Sequence, residues 1–596
     1  MTGLFVWAPY ASRVELELEG GSDSSGTPTS RPLERGVRGH FHLPDPSLAA
    51  GTRYRLRLDG SPGVPDPRSG YQPDGVHGPS LVVDQTAFAW TDAAFSPPPW
   101  SEGVVYEVHV GTFTLEGTFL ALIGRLDYLV ELGVTHLELM PVAAFPGQHG
   151  WGYDGVSLFA PHAAYGTPED LKRLVDACHA RGLAVILDVV YNHLGPDGNY
   201  LGRFGPYFTQ TYATPWGAAV NLDQAGCDGV RRFFCDNALY WLECFHFDGL
   251  RLDAVHAFLD RGAHTFLEQL AEEVGALERR LARTKLLIAE SDLNDPRLIR
   301  EREAGGLGLH AQWSDDFHHS LHALLTGERN GYYADFGELE DLACALREGF
   351  VYAGRYSAHR GRSHGRPLGG LPLQRLLGYL QNHDQVGNRA LGDRIGHSLS
   401  VERLELGAAL VLTAPFVPML FQGEEWNAST PFRYFTDHQN AELAEAVFEG
   451  RRKEFAAQGL AQEGIPDPRA PATFDASKLD WAEQTLPEHR RVLDWYRALL
   501  QLRRQEPALR SPEAPEVETA ENAAGARWLC FRRGPLLVVA NLSAVPLALP
   551  VAAGGALLLG SPGASAVAQL LRLPAWGVGI LRTTARDRAH SSLRAS

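Results

Sequence analysis

At 596 residues the chain is too long for one hydrophobic core and predicts roughly two to four domains. Its 44% hydrophobic and 21% charged residues are those of an ordinary soluble protein, and 10% aromatics leave rings to spare for flat ligands such as sugars. A formal net charge of −17 argues against nucleic acid and anionic membranes as partners, because phosphates need a basic face.

None of the six cysteines has Cys-x-x-Cys spacing, so neither a zinc site nor a redox motif is indicated. Scattered thiols suit a reducing compartment, and a cytoplasmic location is expected. The first residues, through Leu4-Phe5-Val6-Trp7, lack the basic start and long apolar run of a signal peptide. The most apolar stretch, Leu406 to Phe421, is broken by Pro415 and Pro418. It is too short to span a membrane and reads as buried core.

Residues 1–95 read as a β-sandwich. Leu4–Trp7, Val14–Leu18 and Tyr54–Leu58 alternate with period two, and Gly, Ser and Pro clusters separate them. Ser96-Pro97-Pro98-Pro99-Trp100 reads as a stiff linker. Apolar runs then alternate with helical stretches over residues 96–486. The runs are Val104–Val110, Val134–Met140, Ala184–Val190, Gly249–Asp253, Leu286–Glu290, Leu309–Trp313, Leu376–Gln381 and Phe416–Gln422. Pro168–Arg181, with Thr167 as its cap, is typical of the helices between them. The pattern predicts a (β/α)₈ barrel with loop insertions; a doubly wound sheet is disfavoured because no Gly-rich phosphate loop follows any strand. Residues 487–596 read as a helix (Arg490–Arg504) leading away from the barrel, then an antiparallel β domain. A frayed polar tail follows Thr583.

Barrel chemistry sits at the C-terminal strand ends. There stand Asp188-Val189-Val190-Tyr191-Asn192-His193, then Arg251-Leu252-Asp253, then Glu290, then Asn382-His383-Asp384-Gln385. Side chains two apart on a strand share a face, so Arg251 and Asp253 point the same way. A guanidinium there favours an ionised carboxylate, as a nucleophile needs. Alone, this pair reads as a structural ion pair; acids and histidines arriving from the other strands overturn that. Glu290 ends an apolar strand, where desolvation favours the protonated acid. Glu138, mid-strand, reads as a satisfied internal acid partnering Arg251. Adjacent His318 and His319 are disfavoured as a metal pair.

These four segments resemble the signature regions of the α-amylase family of glycoside hydrolases, and the resemblance covers the whole chain. The early β domain is similar to the carbohydrate-binding-type module of its debranching and branching members. So are Trp151-Gly152-Tyr153-Asp154-Gly155-Val156, Ala160-Pro161-His162 and Tyr165-Gly166-Thr167-Pro168. Asn192 to Tyr200, Tyr212 to Gly217, Asp253 to Ala257 and Trp313 to His319 resemble, more narrowly, members that split trehalose from maltooligosyltrehalose. The resemblance implies Asp253 as nucleophile, Glu290 as acid/base and Asp384 as a third acid gripping sugar hydroxyls. It implies Tyr153 as a platform beneath the reacting glucose, with His193 and His383 as hydrogen-bond donors around it. Arg251, His256, Trp216 and Asp292 complete the expected substrate contacts; His256 and Trp216 suit loop packing equally well. It implies an α-glucan substrate ending in trehalose, supplied by a maltooligosyltrehalose synthase. No cofactor and no metal are expected, since no dense Asp/Asn oxygen cage stands beside the third-strand loop. A branching enzyme is the rival within the family. A glucan-binding scaffold without catalysis is the rival outside it, disfavoured because all three acids are present.

Overall fold

In the computed structural model of the protein, residues 4–22, 28–43, 48–457, 464–551 and 555–583 are described. The eight expected runs are eight parallel strands: β1 (Val105–Val108), β2 (His136–Leu139), β3 (Ala184–Val189), β4 (Gly249–Leu252), β5 (Leu286–Ala289), β6 (Ala311–Trp313), β7 (Leu376–Tyr379) and β8 (Val417–Phe421). They pair in chain order, and β8 closes on β1 with Met419 opposite Val105. Other strands are given below by residue range.

Strand periodicity sorts the side chains. Val105, Ile186, Ile288, Leu377, Val417 and Met419 fill the inside of the barrel. Their alternates, such as Leu137, Val185, Leu250, Leu287 and Leu420, face the surrounding helices. One step nearer the C-terminal ends, the inward positions turn polar: Glu107 on β1, Glu138 on β2, Asp188 on β3 and Arg251 on β4. All four are buried. The β3–β4 register sets Asp188 directly beside Arg251.

The N-terminal strands alternate as expected, with Arg53–Leu58 burying every second side chain. A four-stranded sheet (28–32, 14–22, 53–58, 80–81) faces a three-stranded one (5–7, 40–42, 34–35). Arg68 joins this unit to the barrel helix Cys227–Cys244 through Asp236, at 2.8 Å. The chain then runs across the barrel helices before reaching Trp100: Lys172 Nζ donates to the Gln85 carbonyl at 2.8 Å, and Thr91 bonds Asp176. Residues 516–583 form a five-stranded and a three-stranded antiparallel sheet. The expected tail beyond Thr583 lies outside the described residues. Leu406 to Phe421 is buried, divided between the helix Val401–Thr413 and β8. Among the described residues no helix is long and apolar enough to cross a membrane.

One expectation is corrected. The helix Pro487–Gln505 does not lead away from the barrel; it lies against the helix Val401–Thr413. Arg491 pairs with Glu405 at 2.7 Å, Trp495 Nε1 donates to the Glu405 carbonyl at 2.7 Å, and Arg503 donates to the carbonyls of Leu412 and Phe416. Its apolar stripe (Val492, Leu499, Leu502) needs a partner, and the barrel wall is nearest. Trp495→Ala is therefore expected to cost about 3–5 kcal/mol, as core aromatic truncations do. Urea denaturation checks this, and a loss within the error of a surface substitution would restore the detached helix.

Candidate active site

The first group comes from β4 and its end. Arg251 is fully buried, and its Nη1 donates to Asp253 Oδ1 at 2.8 Å and to Asp188 Oδ2 at 2.7 Å. Its Nη2 lies 2.9 Å from Glu290 Oε2 at the end of β5. That contact is out of line for a hydrogen bond, so it is an ion contact. The directed bond to the same oxygen comes from the Ala254 N–H, at 2.7 Å. The guanidinium carbon also sits 4.3 Å from the centre of the Trp313 ring. One cation thus gathers three carboxylates.

Ala254 is strained. Its φ of 40° and ψ of 53° lie in the left-handed region, which costs a side-chain-bearing residue on the order of 1–3 kcal/mol. The Ala254–Glu290 bond accompanies that turn, tying the residue after Asp253 to the carboxylate of the next strand. It also corrects the expected apolar surroundings of Glu290. The strand is apolar, but the carboxylate faces a guanidinium and a backbone N–H, not an apolar pocket.

Glu138 is corrected as well. Its Oε2 is enclosed without a hydrogen-bond partner, so it is not the satisfied partner of Arg251. Burial, then the charges of Glu107 and Asp188, push its carboxyl well above the usual range, and the neutral acid results. Burial pushes Asp188 up to about 7 against the pull of Arg251.

The second group comes from the β7 end. Asn382 caps a short turn by accepting from the Gln385 N–H at 2.8 Å. This fixes His383 and Asp384. His383 stacks on Tyr153, centroids 5.1 Å apart, and its Nε2 lies 2.8 Å from the Tyr153 hydroxyl. That hydroxyl donates to Asp188 Oδ2 at 2.5 Å. On the other side His383 Nδ1 meets Glu107 Oε1 at 2.5 Å. Burial opposes a charged ring, but Asp384 and Glu107 overcome it and raise His383 to about 9. Tyr153 reaches this place through Gly152, whose φ is 98° and where a Cβ would lie 2.2 Å from the Pro141 carbonyl oxygen.

The remaining expected contacts sit around the mouth. Both His193 nitrogens are occupied, by the Asn192 side chain and the Tyr153 carbonyl at 3.0 Å each. A hydrogen bond from His193 to a sugar requires one of them to exchange. Trp216, 47% exposed, stacks on His193 with centroids 4.7 Å apart and leaves its other face open. His256 is exposed. An open cavity of about 290 Å³ lies alongside, walled by Asp292, Asp315, Asp384, Arg360, Tyr332 and Asn388 among others. Asp253 and Glu290 are not on its wall; Asp384 joins the two regions. Arg360 pairs with Asp292 at 2.9 Å. Burial works against the Asp292 carboxylate, but His256 and Arg360 hold it below the usual range. Burial pushes Asp315 up to about 8, despite the hydrogen bond it accepts from Tyr379.

His318 and His319 do not form a metal pair. His318 Nε2 bonds the Tyr333 hydroxyl at 3.0 Å, and His319 stacks on Tyr332. Among the described residues no group of three or more His, Cys, Asp or Glu is arranged to hold a metal ion. Sequence reasoning missed Glu107, Arg360, Tyr332 and Asn388. Glu107 carried a signal, a lone acid inside an apolar strand. Arg360 carried none, because it meets Asp292 from 68 residues away.

The family described as alpha amylase, catalytic domain, matches residues 85–210, and a domain of unknown function, DUF3459, matches residues 516–580. A malto-oligosyltrehalose trehalohydrolase from Arthrobacter ramosus is 48% identical over 581 residues, covering 97% of this chain and 99% of that one. This chain belongs to the malto-oligosyltrehalose trehalohydrolase family. The crystal structure of a candidate alpha amylase from Salmonella typhimurium superposes on this trehalohydrolase-family fold with a TM-score of 0.88. It is 39% identical and covers 98% of this chain and 97% of that one. A 1,4-alpha-glucan branching enzyme from Corynebacterium jeikeium is more distant, 29% identical over 71% of this chain and 60% of its own. The trehalohydrolase family therefore outranks the branching rival over nearly the whole length.

Arg251→Met, similar in shape and uncharged, leaves Asp188, Asp253 and Glu290 without their counter-charge. Breaking a buried pair in this way costs about 3–5 kcal/mol. Denaturation at pH 8 is expected to show that loss, and part of it returns near pH 5, where Asp188 holds its proton. An unchanged midpoint at pH 8 removes Arg251 from the centre of the site.

Proposed function

We propose that this protein is a retaining glycoside hydrolase that cleaves the α-1,4 bond between a maltooligosaccharide and a terminal trehalose, releasing trehalose. The observation that carries the reading is the convergence of Asp253, Glu290 and Asp188 on Arg251 at the strand ends. In this reading Asp253 attacks the anomeric carbon of the glucosyl unit next to trehalose. Glu290 gives its proton to the departing trehalose oxygen as the glycosidic bond breaks. Water then attacks the covalent ester, Glu290 takes its proton, and Asp253 is freed. Two inversions leave the α anomer. Asp384 holds sugar hydroxyls, Tyr153 lies beneath the ring, and Trp216 offers its open face. Asp292 and His256 sit where the trehalose unit would bind. No cofactor takes part. Such a substrate requires a preceding reaction that closes the reducing end into an α,α-linkage, the work of a maltooligosyltrehalose synthase. The scattered free cysteines suit a cytoplasmic setting for both.

Asp253→Asn is expected to lose several decades in rate, roughly 5 kcal/mol or more of the barrier. NMR of the first-formed product should show the α anomer, and a β product would exclude the covalent route. Glu290→Gln should abolish cleavage of glucans yet spare the glycosylation step with a glucosyl fluoride, whose leaving group needs little protonation.

Trehalose presents a bent, non-reducing pair of glucoses. A site whose buried polar groups pair with its hydroxyls leaves them unpaired with maltose, and such sites discriminate well. The kcat/KM for maltotriosyltrehalose should exceed that for maltopentaose by about 100-fold or more, and Asp292→Ala should erode that ratio more than it slows linear glucan. A ratio near one, or new α-1,6 linkages from amylose, would overturn the reading in favour of an amylase or a branching enzyme.

A further inference from the structure

We propose that Glu107 is a positioning residue for this reaction: by gripping both the ring and the backbone of His383, it holds that ring as a two-sided donor and fixes which way the Tyr153 hydroxyl points. The inference rests on the glycosidase reading above and deepens it.

Glu107 is 1% exposed and stands on β1, with its carboxylate bonded to His383 at the β7 end. Its Oε1 accepts from His383 Nδ1 and its Oε2 accepts from the His383 backbone N–H at 2.9 Å. Two acceptors thus meet two donors of one residue. The backbone grip also sets the start of the turn that carries Asp384.

The ring's far side completes a one-way chain. Nε2 donates to the Tyr153 oxygen, which leaves the Tyr153 hydrogen for Asp188 Oδ2. Asp188 depends on that bond, because its Oδ1 is enclosed without a partner and Oδ2 is shared with Arg251. If the ring loses its second proton, Nε2 becomes an acceptor. The Tyr153 hydroxyl then turns toward it, Asp188 loses a donor, and Arg251 shifts away from Asp253. The state of a ring that need not touch substrate therefore reaches the proposed nucleophile through hydrogen bonds.

Charged groups face the ring from every side. Glu107 and His109 come from β1 and its end, Glu138 from β2, and Tyr153 from the turn beyond. Asp188 comes from β3, Arg251 from β4 and Asp384 from the ring's own turn. Burial brings His109 down to about 4, so it is neutral, and burial keeps Glu138 protonated. Glu107 and Asp384 support a positive ring, and Arg251 opposes it. Glu107 is the supporting group hydrogen-bonded to Nδ1, so removing its charge is the direct test.

The experiment is the pH dependence of kcat and KM on maltotriosyltrehalose for the full-length protein. The wild type should show an alkaline limb near pH 9. Glu107→Gln has only one acceptor for two donors and no charge. Its limb should move toward acid by about one unit or more, with kcat at pH 8 falling about twofold or more and KM changing less than about threefold. Glu107→Asp keeps the charge on a shorter stem and should hold the limb within about half a unit of the wild type. A limb unmoved in both variants, or one moved equally in both, overturns the proposal, even if the melting temperature falls. Should Glu107→Gln not fold, the ring proton resonances of His383, assigned by their loss in His383→Gln, decide in the wild type. A midpoint at the ordinary histidine value of 6.5 overturns the proposal. This last measurement stands without substrate; failure of the wild type to release trehalose would overturn the functional reading alone.

Discussion

A single guanidinium, taken fully out of water, is the constraint around which the catalytic end of the barrel is arranged. Arg251 has no solvent to satisfy it, so its charge must be met by protein. Three carboxylates from β3, β4 and β5 meet it, two by directed bonds and one by an ion contact. The arrangement is not self-balancing. Glu107, Glu138, Asp188, Asp253, Glu290 and Asp384 crowd a region whose fixed cations are Arg251 and the His383 ring. Some of these acids must keep protons: Glu138 is pushed well up and Asp188 to about 7. Buried ion clusters of this kind add little net stability compared with apolar packing. Their retention here is accounted for by orientation: every carboxylate that faces Arg251 is held in one pose.

The barrel supplies that pose cheaply. Strand periodicity gives each of β1 to β4 one inward polar position near its C-terminal end, and parallel register brings neighbours level, as Asp188 with Arg251. Beyond the strands the pattern has to be forced. Ala254 adopts a left-handed backbone to bring its N–H onto Glu290, and Gly152 takes a turn no side chain could share. Strain and permissive residues therefore appear where the site leaves regular structure, which is where precise placement matters. Asn382 does the same work at the β7 end by capping, with no strain at all.

The two halves of the site differ in character. Around Arg251 the groups are buried and mutually bonded, so that few polar atoms remain for a ligand. The neighbouring cavity is open, and its walls come from loops of different strands: Asp292 after β5, Asp315 after β6, Arg360 from a hairpin farther along, and Asp384 after β7. In the proposed function, chemistry belongs to the first half and recognition to the second. Such a division lets loops change the ligand without disturbing the carboxylates.

The sequence by itself determined the barrel, because eight apolar runs with helical stretches between them admit few other folds. It also determined which acids stand at strand ends, and that Arg251 and Asp253 share a face, because a two-residue period is a local property. Asp292, His256 and Trp216 were expected at the mouth from the family resemblance and from the loops they stand on, with loop packing an equal alternative for the last two. Only the tertiary structure decided what those groups touch. Glu290 follows an apolar strand, yet faces a cation, because the β4–β5 register brings Arg251 beside the end of β5. Glu138 resembles a paired acid, yet holds its proton, because burial and the neighbouring charges of Glu107 and Asp188 outweigh the pull of Arg251. Glu107 and His383 are 276 residues apart and Asp292 and Arg360 68, and nothing in local periodicity records a contact made by closing a cylinder. The helix Pro487–Gln505, expected to lead away from the barrel, instead lies on the face of Val401–Thr413, a surface that only the closed barrel presents.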